Sequence, residues 1–215
     1  MQNRNAMRNM ETKTVADNIP AYTYGTAEVA KSPVSVAQLF ELKQSAGFTV
    51  EDEEHLRMAG DILSDRTAEL VETWRGVISK IPHLARHSRG PDGKPIAHYS
   101  ERSGLRFQQW ILDTCYRTYD QNWLNYQHEI ALRHTSLKKN KADGVESTAY
   151  VPLRDIVAFT AVINDTVKPF LEGNGRSRED VERMHSAWSC KSVMLQIALW
   201  AEPYAGSPAE ASDEW

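Results

Sequence analysis

Apolar residues recur at helical spacing along most of this chain, and no segment shows the period-two alternation of a half-buried β-strand. Turn-forming residues interrupt the pattern where helices are expected to end, at Gly47, Gly173 and Pro203. The spacing predicts about seven helices between residues 35 and 201. A chain of this kind folds into an all-α domain.

Capping signals locate the individual helices. Ser35 opens the first helix, and Thr49 with Asp52 resembles a capping box. The helical region that follows runs to about residue 79, which is long enough that we expect a break within it. Further helices are predicted at about 100–117, over 119–140, from Pro152 to Leu171, and from Ser177 to about residue 201.

The composition fits one globular domain and argues against nucleic-acid binding. The chain has 215 residues, of which 41% are hydrophobic, and its net charge is −4. It shows no basic stripe interleaved with aromatic residues. We predict a disordered N-terminal extension at 1–18, a single domain at 19–204 and a polar C-terminal tail at 205–215.

The sequence also indicates a location. No run approaches the roughly 20 apolar residues that span a bilayer, and the polar N-terminus has no apolar signal core. Cys115 and Cys190 are isolated, which favours reduced thiols packed as small apolar residues over a disulfide or a zinc site. We therefore expect a cytoplasmic protein without membrane contact.

The segment 119–140 carries a specific pattern. Asp120 suits a helix N-cap, and the basic pair at 138–139 suits a helix C-terminus. An inward-facing imidazole can ligate haem iron, but on spacing alone a structural histidine is the more common outcome. The residues that share one face of this predicted helix are Trp123, Gln127, Ile130 and His134.

Eight short words occur in order along residues 19–204: IPAYTYG (19–25), FTVEDEE (48–54), LVETW (70–74), RFQQWILDT (106–114), YDQNWLNYQHEIALRH (119–134), VAF (157–159), VKPFL (167–171) and LQIALW (195–200). Together they resemble the protoglobins, which are single-domain globins related to the sensor domains of globin-coupled sensors. The resemblance implies a globin three-on-three helical sandwich with an extra N-terminal helix. It also implies an N-terminal loop that partly covers a haem b (iron protoporphyrin IX).

The resemblance gives roles to individual residues. His134 matches the proximal histidine that ligates the haem iron, and its second ring nitrogen then needs an acceptor. Trp74 and Phe107 match residues of the distal pocket. Phe159 and Ile163 match residues that wall the same pocket from the following long helix. Without the family words, each of these apolar residues would be read as ordinary core packing.

Arg75 departs from the family pattern, which usually has tyrosine directly after the pocket tryptophan. Three placements are open for its guanidinium. It can enter the distal pocket and favour anionic ligands, reach a haem propionate, or face solvent. Burial of this charge without a partner would be costly, so the ligand chemistry depends on where Arg75 points.

Three functions fit these residues. The leading prediction is a haem b protein that binds the diatomic gases O2, CO and NO reversibly. The first alternative is an enzyme for NO dioxygenation, peroxidase or nitrite chemistry, which would take electrons from an external reductase because the sequence has no flavin or nicotinamide fingerprint. The second is a gas-sensing module that signals through a partner protein. The last predicted helix carries Met, Trp and Leu on more than one face, which predicts a homodimer.

Overall fold

A computed structural model describes residues 18–205. The predicted extension at 1–18 and tail at 205–215 therefore lie outside the described residues, except for residues 18 and 205 themselves. The α-helices are α1 (Val36–Ser45), α2 (Val50–Leu63), α3 (Thr67–Lys80), α4 (Pro82–Ala85), α5 (Ala97–Tyr116), α6 (Gln121–Leu132), α7 (Leu153–Leu171), α8 (Arg178–Ser186), α9 (Met194–Trp200) and α10 (Glu202–Ala205). Two 3-10 turns (Ser64–Arg66 and Arg86–Ser88) and a π-helical segment (Ala187–Val193) complete the helical structure.

The all-α prediction is confirmed, since residues 18–205 contain helices and turns but no β-strand. The break expected before residue 79 is the 3-10 turn that separates α2 from α3. The capping signals also act as predicted. The Gln38 side chain accepts a hydrogen bond from the Ser35 backbone N–H at 2.9 Å, and Asp52 Oδ2 accepts one from the Thr49 N–H at 2.7 Å.

The close approach of α2 to α5 depends on a glycine. A Cβ atom at Gly60 would lie 2.7 Å from the Cβ of Cys115 and 2.7 Å from Cζ of Tyr116, which is shorter than real Cβ contacts. Only a residue without a side chain lets these two helices pack at this distance. The packing matters for the site because α5 also carries several residues of the central cavity described below.

The helix predicted over 119–140 is shorter than expected, because α6 ends at Leu132. The backbone tightens there, with the His134 N–H donating to the Ala131 carbonyl at 2.9 Å and the Thr135 N–H to the Leu132 carbonyl at 3.1 Å. The Thr135 hydroxyl also donates to the Leu132 carbonyl at 2.9 Å. These shorter-range hydrogen bonds replace the regular α-helical pattern, and His134 lies just beyond the helix.

The last predicted helix is also irregular, because the π-helical segment Ala187–Val193 separates α8 from α9. Lys191, in that segment, forms an ion pair with Asp52 near the start of α2 at 2.7 Å. The expectation that both cysteines are buried is half right: Cys115 is buried, whereas Cys190 is exposed. Within residues 18–205, no helix is both long and apolar enough to cross a bilayer.

Candidate functional site

A cavity of about 290 Å³ lies among α3, α5, α6 and α7. Five of the six residues singled out from the sequence line it: Arg75, Phe107, His134, Phe159 and Ile163. Trp74 is not among the lining residues that the structure describes. Its ring is fully buried behind Phe107, with ring centroids 5.2 Å apart, and its Nε1 donates to the Thr166 hydroxyl at 2.6 Å. Trp74 therefore supports the wall from the second layer.

The His134 ring is held in one tautomer. Its Nδ1 lies 2.8 Å from the Ile130 carbonyl oxygen. A carbonyl oxygen only accepts, so Nδ1 carries the proton and Nε2 keeps a free lone pair. The pKa of the ring is lowered to about 4, mainly by burial; the charges of Lys139 and Arg133 act in the same direction, and the Ile130 hydrogen bond opposes them. The imidazole is thus neutral, which is the form that ligates a metal.

Further contacts fix where the His134 ring points. The Trp200 ring stacks against it, with centroids 6.0 Å apart and an interplanar angle of 20°. The His134 carbonyl accepts a hydrogen bond from the Val151 N–H at 2.7 Å, across the loop that leads to α7. Trp200 is itself oriented by a 2.9 Å hydrogen bond from its Nε1 to Gln127 Oε1. The ring therefore needs little reorganisation to present Nε2 to a ligand.

Aromatic side chains make up one wall of the cavity. Trp110 is central to this wall, since its ring lies 5.8 Å from Phe107 and 6.1 Å from Trp200 between centroids. Its Nε1 donates to Gln196 Oε1 at 2.6 Å, so the buried indole has a hydrogen-bond partner. Rings at these separations form an apolar surface of defined shape, which suits a flat hydrophobic ligand.

Arg75 points into the cavity rather than into solvent. Its Nη2 donates to the Ser103 hydroxyl at 2.8 Å, and its guanidinium packs near Gly104, where a Cβ would lie 3.5 Å from Nε. The Nε atom is buried and has no hydrogen-bond partner within the described residues. Burial lowers the pKa of Arg75, and the nearby charge of Arg106 acts in the same direction. The guanidinium therefore lies at the cavity wall, and its role toward a ligand or a propionate stays a prediction.

The lining of the cavity is strongly cationic. Four cationic side chains face one carboxylate, that of Asp155, although the whole chain carries a net charge of −4. Arg106 pairs with Asp143, and Arg133 pairs with Glu129 at 2.9 Å. The other two cations, Arg75 and Lys139, have no ion-pair partner among residues 18–205. The cavity thus combines apolar walls with a positive field.

The lining residues that were not anticipated from the sequence include two with ionisable side chains, His87 and Lys139. The His87 ring lies 2.7 Å from the Thr148 hydroxyl and 3.3 Å from Asp155 Oδ2. The Lys139 ammonium donates to the His87 carbonyl at 3.1 Å and to the Ser147 hydroxyl at 2.8 Å. The partners of His87, and the His87 carbonyl that Lys139 contacts, are distant in the chain, so no local spacing signal marks either residue. The sequence places Lys139 only at a helix C-terminus.

The N-terminal loop at 19–25 docks on the arginines of the cavity. Arg106 Nη1 donates to the Pro20 carbonyl at 2.8 Å, and Arg133 Nη1 donates to the Ala21 carbonyl at 2.8 Å. The Tyr22 hydroxyl donates to Asp113 Oδ2 at 2.6 Å. The loop lies behind the lining residues and does not itself line the cavity. It therefore holds the two arginines in place from outside.

The residues present fit a haem. A neutral imidazole with a free Nε2 lone pair can ligate iron. Apolar aromatic walls can cover a porphyrin, and the unpaired cations suit its two carboxylates. No cluster of three or more acidic, histidine or cysteine side chains that could hold a bare metal ion occurs in the described part of the chain. The single imidazole donor of His134 suits an iron that a macrocycle already holds.

Fold and cavity define a globin domain suited to haem. Residues 36–209 match the model of the Protoglobin family, and the chain belongs to that family. Among solved structures, the fold is similar to the globin domain of the Geobacter sulfurreducens globin-coupled sensor, with a TM-score of 0.59 and 14% identity over 77% of this chain and 96% of that chain. No curated protein matches the sequence. The predicted family and globin fold are confirmed, and membership supports haem-dependent gas binding or sensing in general.

Proposed function

We propose that this protein binds O2, CO and NO reversibly at the iron of a haem b that is ligated by His134. The observation that carries the proposal is the buried, neutral His134 ring, whose Nδ1 is engaged by the Ile130 carbonyl so that Nε2 is free. When bound, haem would supply a ferrous iron that can bind diatomic gases.

The proposal gives a role to the residues on each wall of the cavity. The Ile130 carbonyl keeps His134 in the ligating tautomer and raises its basicity, while Trp200 limits rotation of the ring. Phe107 and Phe159 exclude water from the gas site, as does Ile163. Trp74 acts indirectly, by holding Phe107 from behind.

Optical spectra test the proposal. We expect the haem-reconstituted protein to show a Soret band that shifts when CO is added to the ferrous form, with a single histidine as the axial ligand. His134→Ala should bind haem weakly or lose its axial coordination. His128→Ala is the matched control, because His128 lies on α6, the helix that leads to His134, but does not line the cavity. A His134→Ala protein with full haem occupancy and an unchanged spectrum would show that the ligand is misassigned.

Arg75 favours a second candidate function, the conversion of NO, peroxide or nitrite at the same haem. Its unpaired guanidinium lines the cavity, and a fixed cation stabilises negative charge that develops during a reaction. Such turnover needs electrons from an external reductase. The discriminating experiment is steady-state NO consumption with a reductase, in wild type and Arg75→Tyr. Equal and negligible rates in both proteins would exclude the enzymatic function.

We also propose that the protein acts in the cytoplasm as a homodimer, and that ligand binding can be passed to a signalling partner. Support for dimerisation comes from Met194 at the start of α9, which is 46% exposed although most of the surrounding apolar residues are buried. Sedimentation velocity of the ferrous protein with and without CO tests it. A monomer in both states contradicts the dimer, and a change in mass on CO binding supports a signalling role.

A further inference from the structure

The Arg75 guanidinium is a half-buried charge without a counter-charge. A guanidinium has five N–H donors, and the only hydrogen bond that Arg75 makes within residues 18–205 is the one from Nη2 to Ser103. Ser103 is neutral, and its hydroxyl in turn donates to the Tyr99 carbonyl at 2.5 Å. No carboxylate is among the groups that act on the charge of Arg75. A cation in this position normally has an anionic partner.

A second unpaired cation borders the same part of the cavity. The Lys139 ammonium lies over the Tyr99 ring, 4.8 Å from its centroid. Its three N–H groups are taken by the His87 carbonyl, Asn140 Oδ1 and the Ser147 hydroxyl. Lys139 therefore contributes positive charge but no free donor, whereas Arg75 contributes both. Tyr99 contacts both sites, since its ring lies under Lys139 and its carbonyl accepts the hydrogen bond of Ser103, the partner of Arg75.

We propose that Arg75 anchors a binding subsite for an oxyanion at the Tyr99 end of the cavity, and that Lys139 supplies a second positive charge. The ligand class is a carboxylate or an oxyanion of similar size, because the planar guanidinium fork matches two oxygens at once. The inference rests on the proposed haem function and adds the chemical class that Arg75 selects. Two sources carry this chemistry: a carboxylate of the haem itself, and a free anion that enters beside the haem.

The principal variant is Arg75→Met, which removes the charge and keeps a long apolar side chain. Because Arg75 has no carboxylate partner that would be left unpaired, the variant should fold. The free energy of unfolding of its haem-free form should be no lower than that of wild type. Arg75→Lys is the second variant, as it keeps the charge but loses the fork. Arg183→Met is the matched control, because Arg183 is an exposed arginine on α8 that does not line the cavity.

The first measurement tests whether the anion bound by Arg75 is a carboxylate of the haem. The rate of haem transfer to excess apomyoglobin is measured after reconstitution with protohaem and with protohaem dimethyl ester, which has no charged carboxylates. If Arg75 holds a propionate, Arg75→Met releases protohaem about tenfold faster, the scale of one charged hydrogen bond. The dimethyl ester should then leave wild type and Arg75→Met at the same rate.

The second measurement tests whether Arg75 binds a free anion. Formate is titrated calorimetrically into the reconstituted ferric protein. If a free oxyanion occupies the subsite, Arg75→Met weakens formate binding about tenfold with either haem, and the haem transfer rates stay equal. Arg75→Lys should give a value between those of wild type and Arg75→Met, in the haem transfer rate or in the formate affinity, whichever of the two changes.

Two results overturn the inference. One is an Arg75→Met protein whose protohaem transfer rate and formate affinity both equal those of wild type. The other is a faster protohaem transfer or a weaker formate affinity that Arg183→Met reproduces, since such a change would reflect the net charge of the protein alone. Failure of the proposed function looks different, because the wild-type protein would then take up no haem or would keep its spectrum in His134→Ala.

Discussion

The rings of His134 and Trp200 lie nearly parallel, with centroids 6.0 Å apart and an interplanar angle of 20°. The Trp200 indole is fixed in turn by its hydrogen bond to Gln127, a side chain that is only 1% exposed. α6 and α9 therefore position the candidate iron ligand together. The relationship links a proposed functional residue to a buried polar pair whose energetics can be measured.

Breaking the hydrogen bond between Trp200 and Gln127 should lower the free energy of unfolding, because the partner that remains is buried without a hydrogen bond. Trp200→Phe leaves Gln127 Oε1 buried without a donor, and Gln127→Met leaves the Trp200 N–H without an acceptor, so we expect each to lower the free energy of unfolding by about 1–3 kcal/mol. The double variant should cost less than the sum, because neither polar group is left unpaired. Urea unfolding of the four proteins measures the coupling. Additive losses would show that the hydrogen bond contributes little.

The N-terminal loop should be released by loss of one arginine. Arg133→Met removes the donors to the Ala21 carbonyl and to the Thr23 hydroxyl, which lies 3.1 Å from Arg133 Nη2. We expect amide hydrogen exchange in residues 19–25 to become at least about tenfold faster, because local opening no longer breaks these bonds. Arg183→Met serves again as the control. Unchanged exchange in the loop would mean that Tyr22 and Arg106 suffice to hold it.

Lys139 should give the stability of the haem-free protein a specific pH dependence. Burial lowers its pKa to about 8 from the ordinary value of 10.5, although the charge of Asp143 acts to raise it. Between these values the unfolded chain binds more protons than the folded one, so stability rises with pH. We expect wild type to gain about 1 kcal/mol from pH 8 to pH 9 relative to Lys139→Met, a range below the ordinary tyrosine pKa. Parallel pH profiles of urea unfolding for the two proteins would contradict the shift.

Two glycines provide a matched pair for the packing of the helices. Gly60→Ala places a methyl group against Cys115 and Tyr116 in the tight contact between α2 and α5. We expect a loss of about 1–3 kcal/mol in the free energy of unfolding from this overpacking. Gly76 lies in α3 with open space around it, and Gly76→Ala should stabilise by about 0.5–1 kcal/mol through helix propensity. Thermal or urea unfolding checks both, and equal effects would refute the packing argument.

The sequence predicts the helices and several of the apolar residues that line the cavity, because both follow from apolar periodicity and from the resemblance to the family. It places Ile130 and His134 on one inward face, and both do line the cavity. It misplaces the end of α6, because the hydrogen bond from Val151 to the His134 carbonyl joins residues separated by a loop. The roles given to the lining residues stay predictions until a variant is measured.

Arg75 and Lys139 show why the charged part of the lining is harder to predict. A long cationic side chain beside an apolar stripe can turn to either side, and its direction is decided by neighbours such as Ser103 that are distant in sequence. Lys139 is buried because carbonyl and hydroxyl groups from two other segments surround it. No pattern of spacing encodes such a three-dimensional set of acceptors.

The π-helical segment Ala187–Val193 has a consequence for the geometry of the cavity. A π-helical turn takes up one residue more than an α-helical turn, so α9 is out of phase with α8 by about 100°. Deleting a single residue from this segment would restore a regular helix and swing the indole of Trp200 around the helix axis, away from His134. The angle at which that indole meets the imidazole is therefore set by the number of residues in the segment and not only by their identity.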